Sequence, residues 1–153
     1  MLMSFDIFFQ CLENGDNGEF PVALFERGFR PFAEHWDADH VFLKYPDGGM
    51  GEIYAETAGE TMNGFMISHA PAHPEFWQAL FELLRETSSC LFWPGGGQVI
   101  ARSSTRDHLA PDMIEALGEP SLVSSPQQII DAMELQFATA ESYRRSIVEG
   151  GRG

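Results

Sequence analysis

The chain has 153 residues, 44% of them hydrophobic and 21% charged, with 23 acidic against nine basic side chains and a formal net charge of −14. That length and balance suit one globular domain, or one domain with a tail, rather than a disordered chain. The charge disfavours nucleic acid and anionic membrane as partners, and no apolar run approaches the ~20 residues that span a bilayer.

Residues 3–12 alternate, with Phe5, Ile7, Phe9 and Cys11 on one side and Ser4, Asp6, Phe8 and Gln10 on the other. This predicts a half-buried strand. The run ENGDNGE at 13–19 is a turn-rich acidic loop. Residues 20–36 carry Val22, Phe25, Phe29, Phe32 and Trp36 at helical spacing and predict a helix. Pro21 suits its first turn, whereas Pro31 lacks the N–H that an interior position needs, so a kink or break falls near Gly28–Pro31.

Two strands, about 41–45 and 51–57, flank Pro46-Asp47-Gly48-Gly49, a hairpin turn built from residues that tolerate positive φ. A third strand at about 62–68 extends them into an antiparallel meander. Residues 73–87 form the strongest helix: Phe76, Trp77, Leu80, Phe81, Leu83 and Leu84 make one stripe and Pro74 opens it. Strands at 90–93 and 98–102 flank a Pro-Gly-Gly-Gly turn, and Trp93, like Trp36 and Trp77, is read as core, with its place before the turn leaving half-exposure open. A short helix at 111–117 starts at Pro111 and stops at Gly118. An extended segment covers 121–125. Ser125, Pro126 and Gln128 then have the spacing of a capping box, opening a helix that Ile129, Ile130, Met133, Phe137, Ala140, Tyr143 and Ile147 carry to about 148.

Strands grouped in sequence-adjacent pairs argue against a parallel sheet. The expected fold is α+β: a single domain over residues 1–135 with an antiparallel sheet, meander plus hairpin, and helices packed against it, followed by a C-terminal helical extension and frayed end at 136–153. The N-terminus has no basic segment or cleavage site, and Cys11 and Cys90 form no C-x-x-C pair. Both cysteines are expected to be buried free thiols, in a cytoplasmic protein.

Few residues suggest chemistry. His35, Asp37, Asp39 and His40 make the densest polar cluster, but alternation along an extended chain separates them; Asp37 and Asp39 can share a face, His35 can join, and His40 cannot. His69 and His73 stand four apart, but Pro71 and Pro74 bar a continuous helix. Asp107 and His108 follow Ser103 and Ser104 without a G-x-S-x-G elbow, and Asp107 or Thr105 is expected to cap the turn before the short helix. Gly95-Gly96-Gly97 has no Lys after it and reads as a turn rather than a phosphate cradle. Glu52, Tyr54 and Glu56 share one face of a predicted strand, an acidic stripe with a tyrosine as aromatic anchor. The first 64 residues hold twelve acids against three bases, leaving eleven against six in the rest.

The segments MSFDIFFQ at 3–10, YPDGG at 45–49, FWPGGG at 92–97 and LGEP at 117–120 resemble a family of small bacterial proteins without an assigned activity. The resemblance spans roughly residues 3–135. It implies Met3 as the natural start and carries over no functional residue.

Two functions follow as expectations. The first is a non-enzymatic, soluble protein-binding domain of immunity or adaptor type, whose acidic surface, with Glu52, Tyr54 and Glu56, takes a basic partner and which needs no cofactor. The alternative is a small metal-dependent hydrolase or metal-binding protein using His35, Asp37 and Asp39. Neither uses nucleic acid or a membrane, and the amphipathic last helix leaves a homodimer open.

Overall fold

A computed structural model describes residues 6–93, 95 and 97–134. The alternating N-terminal segment forms β1 (Ile7–Glu13), with Ile7, Phe9 and Cys11 buried on one side as its pattern demands. Its turn leads into two short strands, β2 (Asp16–Asn17) and β3 (Phe20–Pro21). Helix α1 (Val22–Phe29) follows, then a 3-10 turn over Arg30–Phe32 and strand β4 (Ala33–Trp36). Pro31 therefore ends the helix rather than kinking it. The expected helix over 20–36 is corrected at both ends: Pro21 is the extended residue before the first turn, and Trp36 lies on a strand.

The meander is β5 (His40–Lys44), β6 (Met50–Tyr54) and β8 (Gly64–His69), with β7 (Thr61–Met62) inserted to pair with β3. In the five-residue turn, Gly48 at φ +88° donates to the Tyr45 carbonyl, and Tyr45 in turn donates to the Gly49 carbonyl. Helix α2 (Pro74–Glu86) begins as expected at Pro74, where the His73 ring accepts from the Glu75 amide. It ends where the Thr87 hydroxyl donates to the Leu83 carbonyl at 2.6 Å. Then come β9 (Ser89–Trp93), β10 (Gly97–Ile100), a 3-10 segment over Ser103–His108, α3 (Pro111–Leu117), β11 (Ser121–Leu122) and α4 over residues 126–134. Gly118, at φ +82°, stops α3.

The architecture is α+β, an open and mostly antiparallel sheet with helices. Among the described residues the strand order is β11-β10-β9-β1-β8-β6-β5-β4, with β2 attached to β1. The first strand thus becomes the middle of the sheet, between β8 and β9. Among the described residues only β10–β11 is parallel, a pairing that the grouping of strands did not anticipate.

Helices α1, α2 and α4 cover one face. There Phe9 stacks on Phe65 at 4.7 Å between ring centres, Phe25 tilts against Phe65 at 5.0 Å, and Phe29 meets Phe76 at 5.7 Å. Ile129 and Met133 of α4 are fully buried in the same core. Helices α1 and α2 touch at Gly28, where an added Cβ would lie 2.9 Å from the Ala79 Cβ. Arg27 and Glu86 pair across the same contact. At one end of the opposite face, Leu12, Cys90, Ile100 and Leu109 form a smaller cluster. Met113 and Ile114 of α3 close over it.

Trp93 is core, at 3% exposed, and the turn beside it does not open it to solvent. Its ring lies on Gly97, whose missing Cβ would sit 2.4 Å from Trp93 Cζ2, so the glycine is needed for that stacking. The expected cap before α3 is also absent: the residue there is Ala110, and Thr105 is buried inside the 3-10 segment. Ser125 does cap α4, accepting from the Gln128 amide at 3.3 Å, while the Gln128 side chain accepts from the amide of Ser124 rather than that of Ser125. The continuation of this helix, the 136–153 extension and the dimer through it lie outside the described residues.

Candidate functional site

The five-residue turn fixes the register of β5 and β6, pairing Lys44 with Met50 and therefore Phe42 with Glu52 and His40 with Tyr54. All six lie on the face away from the helices, alternating with the buried Val41, Leu43 and Ile53. On β8, Met66 stands opposite Tyr54; on β1, Phe8 stands opposite Met66; on β9, Phe92 stands opposite Phe8. One row thus crosses five strands: His40, Tyr54, Met66, Phe8, Phe92. Phe8 and Phe92 stack at 5.2 Å, and the His40 and Tyr54 rings lie 5.0 Å apart.

Glu52 is held within this face. Its Oε1 is 2.9 Å from His40 Nε2 and accepts from the Tyr54 hydroxyl at 2.9 Å, while Oε2 lies 3.2 Å from His69 Nδ1. The hydrogen bonds from His40 and Tyr54 hold the Glu52 carboxyl below its ordinary pKa, and the bond to Glu52 raises that of Tyr54. The expected stripe therefore divides. Glu52 spends its oxygens on neighbours, Tyr54 presents its ring, and Glu56 lies beyond the end of β6.

Tyr54 and Glu56 meet again in a cleft of about 680 Å³ that Glu19, Asp39 and Asn63 also line. Backbone pairing builds it. The Ala55 amide donates to the Asp39 carbonyl at 3.2 Å and the Thr57 amide to the Ala38 carbonyl at 2.8 Å, holding segment 37–39 against 55–57. The β3–β7 pair, Phe20 with Met62, brings the Glu19 wall to the opposite side. Among the described residues no Lys or Arg lines the cleft, and Glu19, Asp39 and Glu56 make no ion pair. Tyr54 is 45% exposed. The arrangement offers a concave negative wall with an aromatic face, which suits a cation with an apolar stem.

The His35–Asp39 cluster is not brought together. His35 Nε2 pairs with Asp37 Oδ2 at 2.7 Å in an exposed loop-side position, while Asp39 turns to the cleft. Among the described residues no three His, Cys, Asp or Glu gather to hold a metal. His69 and His73 separate as their prolines require: one ends β8 and the other precedes α2. His108 is structural, accepting from the Asn14 amide at 3.1 Å.

His40, set aside in the sequence reading because alternation along one segment removes it from Asp37 and Asp39, belongs instead to the Glu52 cluster. The signal that finds it is the turn: closing a hairpin at 45–49 places His40 beside Tyr54. Cys11 and Cys90 are buried and free, and point to opposite faces of neighbouring strands. Burial pushes the Cys90 thiol up to about 12. Among the described residues no helix is long and apolar enough to cross a membrane. No protein-family model, curated protein or solved structure matches the chain.

Proposed function

We propose that this is a non-enzymatic binding protein of adaptor or immunity type, acting in the cytoplasm, whose acidic surface captures a basic protein. One observation carries the reading: the 680 Å³ cleft that Glu19, Asp39 and Glu56 line together with Tyr54, with no described basic side chain in its lining. A partner's arginine or lysine fits there, head to the carboxylates and stem to the ring. The formal charge of −14 adds long-range attraction, which speeds encounter with a basic partner and weakens as salt shortens the ~8 Å screening length. Two buried free thiols accord with a reducing compartment.

The test is titration with N-acetyl-arginine methyl ester, followed by NMR. The expected result is saturable shifts at Tyr54, Asn63 and Gly64 that vanish in the Glu19→Gln/Asp39→Asn/Glu56→Gln variant. Equal binding by that variant, or by N-acetyl-glutamate methyl ester, overturns the reading.

A further inference from the structure

The described helices leave the row beside the cleft bare. Helices α1, α2 and α4 pack on the other face of the sheet, and α3 reaches only as far as Phe92. Between that wall and the cleft, Phe8 and Met66 are half-buried and Tyr54 is exposed. Neighbouring strands lie ~4.8 Å apart, so Tyr54, Met66, Phe8 and Phe92 mark out a largely apolar row about 14 Å long, running across the strands.

We propose that this row seats an amphipathic basic helix of the partner protein, lying across the strands with a cationic residue in the Tyr54 cleft. The inference rests on the binding reading above and names the shape of the partner. A helix rises 1.5 Å per residue, so its positions i, i+3, i+7 and i+10 fall over the four side chains in turn, which is the spacing of one apolar face. Charge selects the occupant. A second copy would bring another −14 against the same carboxylates, whereas a basic helix brings opposite charge to the three that line the cleft with Tyr54.

The experiment uses the full chain and a synthetic Leu/Lys amphipathic helix of about 14 residues with a photo-crosslinker at the centre of its apolar face. Its control is a peptide of the same composition in scrambled order. The amphipathic peptide is expected to bind at least tenfold tighter than the scrambled one and to crosslink to β1, β8 or β9. Met66→Lys is expected to weaken it at least tenfold, and Leu122→Lys, distant on an exposed strand, to leave it unchanged. Circular dichroism checks that Met66→Lys folds, and the crosslinking on the wild-type chain does not depend on that variant.

If both peptides bind alike and both are lost with Asp39→Asn/Glu56→Gln, the cleft stands and the row as a helix seat is overturned. If neither binds, the cleft reading falls with it. Binding that emerges only when residues 136–153 are removed makes the chain's own tail the occupant. A dimer that Met66→Lys dissociates makes the occupant a second copy. Either outcome overturns the partner helix.

Discussion

The two faces of the sheet are made by alternate residues of the same strands, yet they are built to different ends. Toward the helices, Phe9, Ile53, Phe65, Ile67 and Leu91 are buried and meet other apolar side chains. Away from them, Phe8, Glu52, Tyr54, Met66 and Phe92 sit half-covered or open, with a carboxylate and an imidazole among the rings. A face that only had to meet water would carry polar side chains throughout. The second face instead mixes rings with an anchored carboxylate and imidazole, the feature on which the proposed binding role rests.

The sharpest way to break this contrast is to truncate neighbours. Phe9→Ala opens a cavity among Phe20, Phe65 and their neighbours and is expected to cost about 3–5 kcal/mol in urea unfolding. Gly64→Ala comes next, because the new Cβ would lie 2.3 Å from the Phe9 carbonyl oxygen and force β1 and β8 apart; a loss of about 1–3 kcal/mol is expected from the same unfolding curves.

Phe8→Ala, one residue along and on the open face, is expected to cost only about 1 kcal/mol, since a half-buried ring removes less area from water. A loss equal to that of Phe9→Ala would mean that the second face is a core after all.

The smallest effect is pH-dependent. Glu52 has a lowered pKa in the fold, so its contribution is present above the ordinary carboxylate pKa of about 4.3 and is lost as pH falls through the folded value. Glu52→Gln should therefore reduce stability at neutral pH, and its difference from the wild-type chain should shrink below that range. A gap that grows on acidification would contradict the His40 and Tyr54 hydrogen bonds as its cause.

Local features were legible from residues alone. Period-two alternation marked β1, the stripe from Phe76 to Leu84 marked α2, and Pro46–Gly49 marked the hairpin. Phe32 and Trp36 misled because they continue the spacing of Phe25 and Phe29 by coincidence; the missing N–H of Pro31 outweighed that spacing. The candidate site was half legible. Glu52 and Tyr54 share a face, as alternation requires, but the cleft joins Glu19, Asp39 and Glu56 from segments that meet only through strand pairing. Side-chain periodicity within one strand holds no information about which strand lies next to it.

The position of β1 in the sheet has a consequence during synthesis. Its residue Phe8 pairs with Met66 and Phe92, which are made much later. At 5–20 residues per second the interval before Phe92 is made is roughly 4–17 s. For that time the run IFFQCL lacks its β9 neighbour, and for roughly the first 3–12 s it lacks β8 as well; an unpaired apolar strand is the kind of segment that recruits other chains. Folding of this protein is therefore gated by the arrival of β9, and slowing translation before residue 92 should lower the soluble yield while leaving the stability of the finished fold unchanged.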